Sequence, residues 1–263
     1  MGKVEGCGFC AETANITGEH LWSDWFGKGL GDSNRVRITR EEASGAVKQW
    51  FKTTLDEKTN VVCKDCNNGW MSRLEDNVKA VIGDMALHGT PKALQPDEVA
   101  VLAAFAFKCA VVADLMHDNR PALFSRYERW RFAKTLTIPP YVQMWLGRVE
   151  GNRGVLDLGF FASPSGVRGG FELAVFTYSI GQVLLQVVAS RWNKKGHRRR
   201  SGFPNLSHTD FWATAMTPFW PASGKPVEWP LPVTLSEAQV DELVRSWETV
   251  QIPVEPRVTK RKR

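Results

Sequence analysis

The sequence predicts an α+β fold in which a small N-terminal module precedes a larger α+β domain. Three observations support this prediction. In the first half of the chain, apolar residues recur at three- and four-residue steps, as on one face of a helix. Between 142 and 190, short segments rich in branched and aromatic residues follow one another, as strands do. Four of the five cysteines form two C-x-x-C pairs near the start. At 263 residues the chain can bury a core in one large domain or two smaller ones.

The cysteine pairs are Cys7 with Cys10 and Cys63 with Cys66. Two residues between partners let both sulfurs reach one ion, and two such pairs supply the four thiolates of a tetrahedral zinc site. Such a site has no open position, so the zinc would be structural. Unrelated free cysteines would rarely be spaced in this way, and a thioredoxin-like redox pair needs a preceding strand for which Cys7 leaves little room. Cys109 lies in an apolar helical pattern and is predicted to be core.

Residues 1–20 contain no basic segment followed by an apolar one, which is the pattern of a secretory signal. A cytoplasmic location is therefore expected, and disulfides are not. The formal net charge of +6 permits a polyanionic partner. Two clusters hold most of the basic excess: Arg191, Lys194, Lys195, Arg198, Arg199 and Arg200, and the tail with Arg257, Lys260, Arg261, Lys262 and Arg263. Such clusters bind phosphates or form an ordinary solvated surface, and both interpretations stay open.

Helices are predicted first along the chain. Residues 67–86 form one, whose buried face is Trp70, Met71, Leu74, Val78, Val81, Ile82 and Met85. Glycine and prolines predict a link over 88–96. Residues 97–117 form a second helix with a nearly continuous apolar body. Lys108 at its middle favours a buried core helix over a membrane span, so no membrane association is expected. A third helix is predicted over 125–133.

Strands are predicted at 142–149, 155–162, 171–178 and 182–190, with the last two joined as a hairpin through 179–181. A final helix covers 236–247, with Ser236 as its cap. The predicted organisation is a module over 1–88, an α+β domain over 89–250 and a basic tail over 251–263. The module has few large apolar residues, which is the situation in which a structural metal stabilises a fold.

The candidate chemistry rests on Glu19 and His20, between the cysteine pairs, and on Asn67 directly after the second pair. A histidine that activates water must be near neutral. A carboxylate and an amide oxygen can bind one hard cation such as Mg²⁺, which stabilises the leaving oxygen of a phosphodiester. Alone, a Glu-His pair would be interpreted as structural, but the cysteines on both sides favour catalysis.

These motifs, in this order, resemble the HNH endonucleases of the His-Me finger group, whose fold is a β-hairpin and a helix around a metal (ββα-metal). Residues 66–75, CNNGWMSRLE, resemble the signature of a subgroup with four zinc-binding cysteines in bacterial and phage proteins. The resemblance covers roughly residues 5–80. It implies these roles: His20 as general base, Glu19 and Asn67 as ligands of Mg²⁺ or Mn²⁺, Asn68 as a second candidate helix ligand, Asn60 as the middle asparagine, and Cys7, Cys10, Cys63 and Cys66 as zinc ligands.

The chain departs from the family pattern in three ways, one of which is the long segment of 42 residues between His20 and Cys63. Ser23 stands where a proline is common, and Trp70 replaces a usual lysine that would contact phosphate. Arg37 and Arg40, together with Lys194, Lys195, Arg198, Arg199 and Arg200, are therefore the candidate nucleic-acid contacts.

The expected function is metal-dependent hydrolysis of DNA, in the cytoplasm and on the nucleoid when DNA is bound. Cutting both strands would require a homodimer or two events. The alternative is a zinc protein of phage origin that has lost hydrolysis. It would bind either nucleic acid or a protein of the host or the phage.

Overall fold

The computed structural model describes residues 6–20, 23, 25–26, 36–41, 47–52, 58–116, 122–150, 155–162, 171–192 and 210–246. The predicted contacts Lys194, Lys195, Arg198, Arg199 and Arg200 and the tail 251–263 lie outside these residues. Helices and strands alternate irregularly along the chain, which confirms the α+β class.

The elements follow one another in this order: β1 (Ile16–His20), β2 (Val36–Glu41), β3 (Val47–Lys52), β4 (Lys58–Cys63), α1 (Lys64–Cys66), a π-helical turn (Asn67–Met71), α2 (Ser72–His88), β5 (Lys92–Leu94), α3 (Pro96–Leu115), α4 (Arg126–Thr135), β6 (Val142–Val149), β7 (Val155–Ala162), β8 (Phe171–Ile180), β9 (Val183–Trp192), α5 (Asp210–Ala215), β10 (Met216–Trp220), β11 (Val227–Trp229), β12 (Thr234–Leu235) and α6 (Glu237–Ser246).

In the described part of the chain the strands form three sheets. β1 pairs antiparallel with β4, and β5 pairs antiparallel with β11. The large sheet has the order β10-β6-β9-β8-β7-β2-β3, with β12 beside β6. Within it β2 runs parallel to β7, so residues 36–52 extend the sheet formed by the later strands.

The predicted link over 88–96 contains the short strand β5. The predicted hairpin turn also differs in detail, because β8 continues to Ile180 and the turn is Gly181-Gln182. Gly181 has a φ of 54°, and a Cβ there would lie 2.1 Å from the carbonyl oxygen of Ala86. The glycine therefore allows both the turn and its close approach to the end of α2.

The helix α3 is the centre of the main core. Its side chains from Leu102 to Leu115 are all buried, as expected for a helix that is apolar on every side. It packs on one face of the large sheet, in a cluster with Met144, Leu146 and Val187. A second cluster covers the other face, where α6 packs through Val240 and Leu243. No described helix is long and apolar enough to cross a membrane.

The main core also crosses the predicted boundary between module and domain. One cluster of buried side chains contains Cys7, Cys63 and Cys66 together with residues of α2, α3, β6, β8 and β9. The predicted division at residue 88 stays a prediction, but the packing is continuous across it.

Candidate metal centre and adjoining site

The four cysteines predicted to bind zinc lie together. One ligand atom from each of Cys7, Cys10, Cys63 and Cys66 lies within 4.8 Å of the others, and the sulfurs of Cys10 and Cys63 are 3.5 Å apart. Four zinc–sulfur bonds of about 2.3 Å in a tetrahedron place the sulfurs about 3.8 Å from one another. This cysteine centre can therefore hold a metal ion, and zinc fits its size and its donor atoms.

Local backbone hydrogen bonds form the first half of the cysteine centre. The amide of Cys7 donates to the carbonyl of Glu12 at 2.6 Å, and the amide of Ala11 donates to the carbonyl of Cys7 at 3.0 Å. The amide of Gly8 donates to the carbonyl of Val61 in β4 at 2.7 Å, which places the first pair against the strand that carries the second. Any Cβ at Gly8 would meet Leu115 of α3 at 2.4 Å, so a side chain there would clash.

The thiols of the cysteine centre shift one another's pKa. The hydrogen bond with Cys66 lowers the pKa of the Cys7 thiol to about 4, and the same bond raises the pKa of Cys66. Burial raises the pKa of Cys63. One thiolate is therefore stabilised by its neighbouring thiols, and a bound cation would replace the remaining protons, since metal ligands are thiolates.

Aromatic rings and an arginine support the cysteine centre from outside. The ring of Trp70 contacts Phe9 and Phe132 edge to face, with centroids 5.2 and 5.6 Å apart. Buried Arg129 of α4 donates from Nε to the carbonyl of Gly8 at 2.7 Å and from Nη1 to the carbonyl of Phe124. Burial lowers the pKa of Arg129. Sequence reasoning missed Arg129, because its partner Gly8 is distant in sequence.

The strands β1 and β4 connect the cysteine centre to the predicted catalytic pair, which lies toward the other end of the ladder, with His20 opposite Lys58. Ile16 in β1 is opposite Cys63, and the register shifts between Thr17 and Glu19, which forms a bulge in this short ladder. Successive residues of a strand face opposite sides. Glu19 is accordingly buried in the core, whereas His20 at the end of β1 is half-buried.

Glu19 lies in a buried charge cluster rather than at an open surface. Its Oε1 is 2.5 Å from Nζ of Lys108, and the two side chains are 3% and 1% exposed. The same Nζ is 2.7 Å from Oε1 of Glu75. Burial alone would lower the pKa of Lys108, but the negative charges of Glu19 and Glu75 outweigh it and raise the pKa. Lys108 is therefore the charged partner of Glu19, which sequence reasoning did not find.

Asn67 connects the start of the helix to β1. Its Nδ2 donates to Oγ1 of Thr17 at 3.2 Å and to the carbonyl of Gly18 at 3.3 Å. The amide is thereby held against β1, two residues before His20, and its predicted role as a cation ligand stays a prediction. Asn68 and Asn60 are both exposed, the first in the π-helical turn and the second in β4 opposite the bulge.

The arrangement fits the predicted magnesium site only in part. The amide of Asn67 contacts β1 at Thr17 and Gly18, before His20, but the carboxylate of Glu19 is buried and already neutralised by Lys108. A carboxylate in an ion pair at 2.5 Å does not fit as an open ligand for Mg²⁺ or Mn²⁺. Arg37 and Arg40 lie in β2 at the parallel pairing with β7, and their side chains lie outside the described part of the chain.

Comparisons of this chain with protein-family models, with curated proteins and with solved structures find no match. Its function is therefore argued from its own residues.

Proposed function

We propose that this chain is an endonuclease of the HNH type that hydrolyses DNA phosphodiester bonds at His20. The observation that carries the proposal is the pair of hydrogen bonds from Asn67 to Thr17 and Gly18. They hold the start of the helix beside the strand that ends at His20. The order of two antiparallel strands followed by a helix, with four cysteines at its base, agrees with the resemblance noted in the sequence.

In this proposal His20 is the general base. It accepts a proton from water, whose oxygen attacks the phosphorus. The bond from phosphorus to the 3′ oxygen breaks, and the departing 3′ oxygen takes a proton from solvent. The products are a 5′-phosphate and a 3′-hydroxyl. The cysteine centre acts structurally, because its four ligands leave no position for substrate. No step is assigned to Mg²⁺, since Glu19 is paired with Lys108.

A second candidate function is favoured by that same ion pair. A protein that retains the cysteine centre but has lost hydrolysis would bind nucleic acid or a host or phage protein. Burial of Glu19 against Lys108 fits this candidate, because it removes the carboxylate from solvent. Competition by random duplex DNA at moderate salt separates general phosphate binding from binding to one protein.

The decisive experiment is cleavage of supercoiled plasmid by the zinc-loaded chain, with Mg²⁺, with Mn²⁺ and without either. We expect nicked product, and we expect His20→Ala to lower the rate by about 10²-fold or more. His88→Ala is the matched control, because His88 is exposed at the end of α2. Metal analysis must show that each variant retains zinc. Equal cleavage by the His20 variant would refute the proposal. The same assay is run on single-stranded DNA, and if plasmid and single strand both stay intact with zinc bound, the second candidate is favoured.

A further inference from the structure

The exposed large apolar side chains of the described residues are concentrated at α4. Tyr127 is 65% exposed, and Trp130 and the following Leu136 are each 44% exposed. The rings of Tyr127 and Trp130 have centroids 6.0 Å apart and an angle of 28° between their planes. Two neighbouring, nearly parallel rings in water are unusual in a chain whose other large aromatic side chains, where described, are buried or half-buried.

Cations surround these rings. Arg126, Arg131 and Lys134 are exposed, and the spacing from Tyr127 through Trp130, Arg131 and Lys134 follows one side of a helix. We call these five residues the outer face of α4. Among the described residues no ion pair involves its three cations.

The acid of α4 points away from this face. Oε2 of Glu128 accepts from the amide of Ser125 at 2.7 Å as part of the helix cap. Its Oε1 accepts from the hydroxyl of Tyr141 at 2.8 Å. The outer face therefore presents three cations and no carboxylate, which gives it charge complementarity to a polyanion.

The opposite side of α4 fixes the helix to the cysteine centre. Arg129 bonds the carbonyl of Gly8 at 2.7 Å, and Phe132 contacts Trp70. The basic segment predicted from Arg191 onward also begins nearby, because Nη1 of Arg191 is 3.8 Å from Oε2 of Glu128. The outer face is thus a rigid surface next to the module proposed to cut DNA.

We propose that the outer face of α4 binds single-stranded DNA, with bases stacked on Tyr127 and Trp130 and phosphates on Arg126, Arg131 and Lys134. Proteins that bind single strands combine aromatic rings, on which any base stacks, with cations along the backbone. The centre of a contact between proteins is instead depleted of lysine, which this face carries at Lys134. The proposal names an unpaired strand as the substrate, and rests on the proposed function for the cleavage step only.

Fluorescence anisotropy with a labelled DNA strand of about 15 nucleotides of mixed sequence tests the proposal. The protein is the full zinc-loaded chain carrying His20→Ala, without added Mg²⁺, so that cleavage cannot consume the probe. We expect Tyr127→Ala with Trp130→Ala to raise Kd at least fivefold, roughly the effect of losing one stacked base. Leu136→Ala is the control, because this residue is as exposed as Trp130 but has no ring.

A second pair of variants tests the phosphate contacts. Log K falls as log salt rises, and Arg131→Gln with Lys134→Gln should make this slope shallower by about 1.4, the value for two phosphates of a single strand. Lys225→Gln with Arg245→Gln removes two exposed cations elsewhere and should leave the slope unchanged.

Two results would overturn the proposal. One is that the protein with the native outer face does not bind the strand, or that the substituted variants bind it equally well. The other is that the aromatic variants abolish self-association in sedimentation while Kd stays constant, which would identify the face as a protein interface. Loss of plasmid cleavage has no bearing on this proposal, since binding to the strand is measured without hydrolysis.

Discussion

At the scale of single residues, the most consequential side chain outside the cysteine centre is Lys108. It stands in the middle of an apolar helix, where an unpaired ammonium would cost several kcal/mol. Glu19 from β1 and Glu75 from α2 both contact its Nζ. One cation therefore ties three elements together, and the strand that ends at His20 is among them.

We expect Lys108→Met to lower the free energy of unfolding by about 3–5 kcal/mol, because it leaves Glu19 buried without its counter-charge. Urea denaturation measures this loss. Glu19→Gln combined with Lys108→Met removes both charges and should recover much of the stability. A double variant as unstable as the single one would show that packing of the lysine stem, rather than charge pairing, is what matters.

The sequence identified Lys108 only as an argument against a membrane span. Its partners could not be predicted, because Glu19 and Lys108 meet through packing of elements that are distant in sequence. The same reason explains why Glu19 was expected on a cation. A carboxylate that precedes a histidine in sequence is a typical metal ligand, but the alternation of side chains along β1 directs Glu19 into the core.

At the scale of elements, the hydrophobic pattern predicted the helices and the later strands well. The helix expected over 97–117 is observed as Pro96–Leu115, with proline at its first position. Ser236 caps the last helix as expected, because its Oγ accepts from the amide of Gln239 at 3.4 Å. The two short strands at one end of the large sheet, β2 and β3, were missed. Both carry several charged residues, and in β2 the alternation of Val36 and Ile38 was the available strand signal.

The contact between the π-helical turn and β1 has a specific test. Asn67→Ala removes two donated hydrogen bonds and leaves Thr17 and Gly18 with lost partners, so we expect a loss of about 1–3 kcal/mol in unfolding free energy. Asn68→Ala is the neighbouring control, since Asn68 is exposed and should change stability by less than about 0.5 kcal/mol. Equal effects of the two changes would mean that the contact with β1 contributes nothing.

At the scale of the whole molecule, sequence order and spatial order differ. The chain was expected to divide near residue 88, where Gly89 ends α2 with a φ of 68°. However, Gln182 in the hairpin turn donates from its amide to the carbonyl of Ala86 at 2.9 Å, and β2 pairs with β7. Long-range pairings of this kind leave no local signal in a sequence, which is why the cysteine pairs were predicted and their place in a common core was not.

Because the cysteine centre and α3 belong to one cluster of buried side chains, we expect calorimetry to show a single unfolding transition. Removing zinc with a chelator, or by Cys63→Ser, should lower its midpoint by about 10 °C or more, since metal binding contributes directly to folding. Cys109→Ala is the control, because this buried cysteine lies outside the cysteine centre and its variant should retain zinc. Two transitions, with only the lower one sensitive to the chelator, would instead show that 1–88 and 89–250 fold as separate units.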